Sequence, residues 1–436
     1  MKRLALAGLG LGLGIWAAAA QAAQRFPPPQ FETDYQIPTV HLSPPREALW
    51  EALDAAVLAA ALSAASWLVF KKRSRRWIAA LSVFSLLYFG FWRRGCICSV
   101  GALGNVVLSL FDPSYVLPLT AAVFFLLPLL FGLFFGRVFC GAVCPLGAIQ
   151  DLVVFRPLSV PFWLETALRM IAWIYLAAAV LMAAAGSGLL ICRYDPFVSF
   201  FRLSLNTPLW ILGLLCLGVG VFIARPYCRF VCPYGLLLRQ MSRLSFWSVR
   251  ITPDECIQCR LCEEACPLGA IEPPTAPWPA KLLPAERRRL GLLILLLPLL
   301  MALGGWIGYR LHPVLAAGHP AVALAEQVRL WQSGKMTERT DEIRAWETSG
   351  KPAESLWPQE AAVLQKFSLG GLLAGIFVGF AAGVKLIQVS IHRVRKEYQA
   401  NRAGCLACGR CFAFCPRQQM REKARAVSAE KKQVEG

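Results

Sequence analysis

Two copies of one cysteine pattern, with 138 residues between them, constrain this chain more than any other feature. The first is Cys256-x2-Cys259-x2-Cys262-x3-Cys266-Pro267, and the second is Cys405-x2-Cys408-x2-Cys411-x3-Cys415-Pro416. This spacing wraps three thiolates around one [4Fe–4S] cubane, and in two-cluster ferredoxins the fourth cysteine ligates the other cluster. One cluster is therefore expected on Cys256, Cys259, Cys262 and Cys415. The other is expected on Cys405, Cys408, Cys411 and Cys266. Zinc patterns do not repeat four cysteines at this interval ahead of a proline. The two halves must then meet on the same side of whatever separates them.

What separates them reads as membrane. Of the 436 residues, 57% are hydrophobic and 16% charged, too little charge for the surface of a soluble protein of this length. After a polar, proline-bearing stretch to about Pro45, seven apolar segments follow, roughly 49–70, 77–92, 117–135, 162–190, 209–224, 290–309 and 368–390. A helix rises about 1.5 Å per residue, so about 20 residues cross a hydrocarbon core of about 30 Å. The second and fifth segments are short for that. The expected fold is an all-α integral membrane protein with about seven transmembrane helices. A small cytoplasmic two-cluster ferredoxin-like module, assembled from two separated segments, completes it.

Charge sets the expected orientation. The net charge of +19 is gathered in short blocks between apolar runs: Lys71-Lys72-Arg73-Ser74-Arg75-Arg76, Arg287-Arg288-Arg289 and the tail from Arg393. That is the positive-inside pattern, and it explains the basic balance without nucleic acid. The loop 310–367 balances seven Lys/Arg against seven Asp/Glu, as an exported segment can, and its Trp331, Trp346 and Trp357 suggest amphipathic helices over the outer surface. Met1-Lys2-Arg3, an apolar run to Ala20 and the sequence Ala20-Gln21-Ala22 read as a signal peptide, with an uncleaved anchor helix as the alternative. Crossings counted from an exported N-terminus bring all three basic blocks and both motifs to the cytoplasmic side of a bacterial inner membrane. The expected organisation is a signal peptide (1–22), a short periplasmic segment (23–48), a transmembrane core (49–250), the first motif (251–275), a basic linker (276–289), a span (290–309), a periplasmic loop (310–367), a span (368–390), and the second motif with its basic tail (391–436).

The core holds a weak repeat. One unit runs from Cys98 through Asp112-Pro113 and a span to Arg137-Val-Phe-Cys140-Gly-Ala-Val-Cys144-Pro145. The other runs from Cys192 through Asp195-Pro196 and a span to Arg225-Pro-Tyr-Cys228-Arg-Phe-Val-Cys232-Pro233. Two such units pack about a pseudo-two-fold axis along the membrane normal. A proline after each second cysteine suits the first turn of a following helix, whose free N–H groups favour a thiolate. Cys140, Cys144, Cys228 and Cys232 are candidates for a third cluster, for paired redox dithiols or for packing. Cys96, Cys98 and Cys192 are expected on the exported side, as a disulfide or a cofactor site, and Cys216 as core. There is no Cys-x2-Cys-His for covalent haem, and His41, His312, His319 and His392 form no facing pair within spans. Arg93 and Arg94 read either as interfacial anchors or as a quinone or flavin-phosphate contact. No Walker loop, Rossmann fingerprint or hydrolytic triad is present.

Paired Cys-x3-Cys-Pro units on membrane helices, followed by ferredoxin motifs, resemble the NapH/NosR group of membrane ferredoxins over about residues 77–416. Two ferredoxin motifs separated by membrane spans look more like its NosR/NirI branch. The resemblance implies electron transfer between the quinone pool and periplasmic respiratory or maturation enzymes, through Cys140, Cys144, Cys228, Cys232 and the eight ferredoxin cysteines. This would make the chain a quinol-oxidising component of an oxidoreductase complex. Proteins of the NosR type carry an exported flavin domain with covalent FMN ahead of the membrane part. Here the stretch before the first span is too short for one, so FMN is expected on a partner, a periplasmic flavoprotein or reductase. The alternatives are a redox-sensing regulator and a maturation factor for a periplasmic metalloenzyme.

Overall fold

The computed structural model describes residues 48–95, 98–155, 157–158, 160–204, 206–252, 256–277, 283–336, 340–350, 352–391 and 393–424. The signal-peptide reading, nearly all of the short periplasmic segment, Cys96, His41, His392 and the end of the basic tail lie outside these.

Helices make up most of the chain. In order they are α1 (Ala48–Trp67), α2 (Arg75–Ser85), α3 (Ser99–Phe111), α4 (Leu119–Phe135), α5 (Pro145–Val153), α6 (Phe162–Ala184), α7 (Leu190–Tyr194), α8 (Val198–Arg202), α9 (Thr207–Phe222), α10 (Pro233–Arg243) and α11 (Leu261–Glu264). Strand β1 (Ile271–Glu272) follows, then α12 (Leu283–Arg310), α13 (His312–Ala316), α14 (Pro320–Gln332), α15 (Asp341–Thr348), α16 (Leu356–Ser390), β2 (Gln399–Ala400) and α17 (Arg410–Phe414). Four segments are long and apolar enough to cross a membrane: Leu49–Lys72, Phe162–Ala184, Pro284–Arg310 and Ala353–Ser390. Helices α4 and α9 are shorter apolar helices, and α2 runs on through a π turn (Leu86–Trp92). Helix α3 has no counterpart among the seven segments. Its 13 residues are too few to cross a core of about 30 Å, so a count tuned to spans passes over it.

Helices α12 and α16 form a hairpin held backbone to backbone. Gly304 and Gly308 on one face Gly371, Gly375 and Gly379 on the other. A Cβ at Gly308 would collide with the Gly371 carbonyl, and one at Gly375 with the Gly304 carbonyl. Small residues four apart let two membrane helices approach this closely, and van der Waals contact then replaces the hydrophobic drive that lipid removes. Between them, α13 to α15 fold over the far end of α6, where Leu181, Ala316, Val322 and Phe367 share a small core. Trp331, Trp346 and Trp357 pack around Val328, Ile343 and Leu356, giving this excursion a core of its own. Its limit at 367 is corrected: α16 begins at Leu356, and the excursion ends there. The segment expected to run to 190 is also shorter, since α6 stops at Ala184 ahead of Gly186 and Gly188, both at positive φ.

At the opposite end the two cysteine motifs meet. Strands β1 and β2 pair antiparallel, Ile271 opposite Ala400 and Glu272 opposite Gln399, and α11 packs on α17. The basic loop after α1 docks on both halves. Arg73 donates to the Gln418 side chain (2.9 Å) and the Ile251 carbonyl (2.6 Å), and Arg75 donates to the Cys408 carbonyl (2.9 Å). Residues that serve as orientation flags in the sequence thus also fasten the module to the helices.

Candidate iron–sulfur site

The two motif loops are wound alike. Gln258 and Arg260 in the first have positive φ, and so do Ala407 and Gly409 at the matching positions of the second. Left-handed residues on either side of the middle cysteine curl each loop so that its three thiols converge, a conformation costly for non-glycine residues unless the surroundings hold it. The Ala407 N–H donates to Cys405 Sγ and the Ala270 N–H to Cys266 Sγ, both at 3.4 Å. Cys256, Cys259 and Cys262 line one small cavity together with Cys415 of the other motif. Cys266 in turn stands near Cys405, Cys408 and Cys411, close enough for their charges to act on one another. Burial pushes the Cys405 thiol up to about 12 and the Cys262 thiol up to about 11. Such thiols ionise only against a strong positive charge, which a metal cluster supplies. Among the described residues no group is spaced for a single metal ion.

Directly beneath lie the Cys-x3-Cys-Pro units. In each, a π turn (Phe139–Val143, Tyr227–Val231) delivers the second cysteine as the N-cap of a helix with proline at its first position, Cys144 for α5 and Cys232 for α10. Cys232 Sγ accepts from the Gly235 N–H at 3.2 Å. The units interlock. Arg225 is 2% exposed and donates to the carbonyls of Cys140 and Gly141. Its guanidinium also grips both carboxylate oxygens of Asp151 (2.9 and 2.8 Å). Fully buried Gln150 donates to Cys228 Sγ (3.2 Å) and accepts from the Tyr227 N–H (3.1 Å). Arg137 lies 3.8 Å from Cys140 Sγ. Cys140, Cys144, Cys228 and Cys232 sit close enough to interact electrostatically. Donors aimed at sulfur stabilise the thiolate form, and that donor set suits a cluster.

The ferredoxin module sits on this group. Arg137 and Arg239 both donate to the Ala403 carbonyl (3.3 and 3.2 Å), and Gly141 faces the backbone of Leu406 and Ala407, between Cys405 and Cys408. Asp151, ringed by Arg225, Arg75 and Arg410, joins the two layers. Burial alone would raise its carboxyl, but these arginines outweigh it and hold it down to about 2. Gln150, Asp151 and this arginine network went unread in the sequence. The only available signal was the shared Arg-x2-Cys that opens both units.

Cys98, expected apart from the Cys-x3-Cys-Pro units, stands beside one of them. It caps α3 and lines a cavity with Cys144 and Pro145, walled by Leu58, Phe89 and Phe124. Cys192, exposed on α7, has its Sγ against Gly101 of α3. Cys216 packs partly buried against the main core, as expected. Arg93 is taken by the buried Asp54 (2.6 Å), which also accepts from the Tyr88 hydroxyl (2.9 Å), and this makes it a structural ion pair. His319 caps α14, accepting from the Ala321 N–H.

Helices that cross a membrane, carrying cysteine motifs built for iron–sulfur clusters, define an iron–sulfur membrane protein with an electron-transfer role. Comparison with known proteins narrows the class. A family model described as a 4Fe-4S binding domain matches residues 117–161 and again 205–252, the two Cys-x3-Cys-Pro units, and a second 4Fe-4S binding domain model matches 249–272. The chain is 35% identical over 154 residues to the protein NirI of Paracoccus denitrificans, which covers 32% of this chain and 23% of NirI. It is 31% identical over 209 residues to the regulatory protein NosR of Pseudomonas aeruginosa, covering 44% and 29% respectively. It is 30% identical over 225 residues to the methylamine utilization ferredoxin-type protein MauN of Paracoccus denitrificans, covering 47% of this chain and 77% of MauN. The chain belongs to the NosR/NirI-like family of ferredoxin-type membrane proteins. It spans less than a third of the length of NirI and of NosR. No solved structure matches it.

Proposed function

We propose that this protein relays electrons across a bacterial inner membrane, between the cytoplasmic side or the quinone pool and a periplasmic redox partner, a flavoprotein that carries the FMN. The observation that carries this is the stacking of the motifs. Leu406 and Ala407, between two cluster cysteines, lie on Gly141, next to Cys140. Two [4Fe–4S] clusters are assigned to the crossed sets, Cys256, Cys259, Cys262 with Cys415, and Cys405, Cys408, Cys411 with Cys266. A third is assigned to Cys140, Cys144, Cys228 and Cys232, supported by their convergence and by the repeated family match over them. When bound, the clusters supply one-electron exchange at potentials set by their surroundings. The chain's part is to hold the thiols, exclude water from them and aim Gln150, Arg137 and backbone N–H groups at sulfur. In this reading α2, α4 and α9 join the four long helices as seven spans. The N-terminus is then periplasmic and the C-terminus cytoplasmic.

The test is iron content and low-temperature EPR on anaerobically purified, dithionite-reduced protein, beside a variant with all four Cys-x3-Cys-Pro cysteines changed to Ala. About twelve irons falling to eight supports three clusters. Eight in both removes the third. Clusters that no quinol, ferredoxin or flavoprotein donor reduces would defeat the relay itself. The word "regulatory" in the name of NosR favours a second reading, a redox sensor. That reading predicts a partner bound in one oxidation state only, without turnover.

A further inference from the structure

A cavity of about 1220 Å³ opens where the ferredoxin module meets the ends of α6, α10 and α16, and its chemistry is one-sided. Eight Arg and Lys line it against three Glu. Two of those glutamates are engaged: Glu165 by Arg169 and Arg229, and Glu272 by Arg395 and Asn401. Arg169, Arg239, Arg243 and Lys385 face one another across it, all half-buried. Arg239 and Arg243 reach neutral groups, the Ala403 carbonyl (3.2 Å) and the Gln388 side chain (2.9 Å), which leave their charge in place. Burial, followed by the like charges of Arg169 and Arg137, holds the Arg239 guanidinium well below its usual range. A cluster of cations taken partly out of water is destabilising until an anion joins it.

A second cavity, of about 270 Å³, leaves from the same four cations and runs between α6 and α16 along Met170, Trp173, Phe380 and Val384. A basic chamber at the end of membrane-spanning helices, continued by an apolar groove along them, matches an amphipathic anion. Basic pockets between membrane helices take phosphate head groups in this way. We propose that this site holds one anionic phospholipid, its phosphate among Arg169, Arg239, Arg243 and Lys385 and an acyl chain in the groove beside Trp173 and Phe380. Because Arg239 also holds the Ala403 carbonyl, the lipid would clamp the second motif onto the helices.

The experiment is native mass spectrometry of the full chain from mixed micelles holding equal phosphatidylglycerol and phosphatidylcholine. The wild type is expected to keep one phosphatidylglycerol in preference to phosphatidylcholine and to keep it in millimolar inorganic phosphate. Arg239→Gln with Arg243→Gln should lower that retention about 25-fold, roughly fivefold per cation. Val384→Trp, which fills the groove without touching a charge, should also lower it. Equal retention of the two lipids by the wild type overturns the proposal. So does displacement by inorganic phosphate together with indifference to Val384→Trp, which would mark a free-phosphate site. The wild-type arm needs no variant to fold, and the lipid count is read independently of cluster content.

Discussion

Changing Gly141 to Ala should loosen the ferredoxin module from the helices beneath it. A Cβ at this position would overlap the Leu406 carbonyl oxygen and come within 3.1 Å of the Leu406 carbonyl carbon and 3.3 Å of that of Ala407. Restoring an ordinary carbon–oxygen contact takes a retreat of more than about 1 Å. The obstacle is backbone between two cluster cysteines, so no side chain can swing aside, and the shift must move Cys405 or Cys408. Overpacking of this kind costs about 1–3 kcal/mol. That is a large share of a net stability of roughly 5–15 kcal/mol. The assay is thermal release of iron from anaerobically purified protein, with Gly291→Ala in α12 as the control because open space surrounds Gly291. Gly141→Ala should release iron at a lower temperature and broaden the EPR signal of the reduced clusters, while the control stays within a few tenths of a kcal/mol of wild type. Identical behaviour of the two variants would refute the docking argument.

Other outcomes follow from the same contacts. Gly308→Leu should split the α12–α16 hairpin, seen as protease cleavage in the excursion between them. Arg93→Gln removes the ion pair of the buried Asp54 carboxylate and should cost about 3–5 kcal/mol in denaturation, with Asp54→Asn in the same chain recovering part of it. The depressed Asp151 carboxyl contributes about 2 kcal/mol for a fall from 3.8 to about 2. That contribution is fully present above pH 3.8 and lost as pH falls toward 2. Asp151→Asn should therefore be destabilised at pH 7 and converge on wild type in acid unfolding. If the third cluster exists, Gln150→Leu removes a donor to Cys228 Sγ and should lower its midpoint potential by roughly 40 mV, the equivalent of one net hydrogen bond of about 1 kcal/mol, in a redox titration.

The cysteine motifs and the Cys-x3-Cys-Pro units were legible because their spacing is local and covalent, as was the proline that starts α5 and α10. Relations between distant segments were less legible. Arg73 and Arg75 were visible as charge, yet that they grip Ile251, Gln418 and Cys408 depends on contacts across more than 170 positions. Cys98 was hard to place because a count tuned to spans passes over α3, the helix of 13 residues that it caps and that packs against α4 and α6. The glycines of α12 and α16 stood four apart in plain view. Their meaning lay in the pairing of two helices separated by 45 residues, which no single-helix pattern displays.

That hairpin also governs the order of biosynthesis. On the crossed assignment each cluster needs a cysteine from both sides of it, and 138 residues lie between Cys266 and Cys405. At ribosomal speeds the second motif emerges on the order of ten seconds after the first. During that interval Cys256, Cys259 and Cys262 wait beside the membrane without their fourth partner, exposed to oxidation and stray metals. Zipping of Gly304 and Gly308 onto Gly371 and Gly375 brings the late half back to the early one. On that assignment, completing either cluster would require that both helices have inserted and paired.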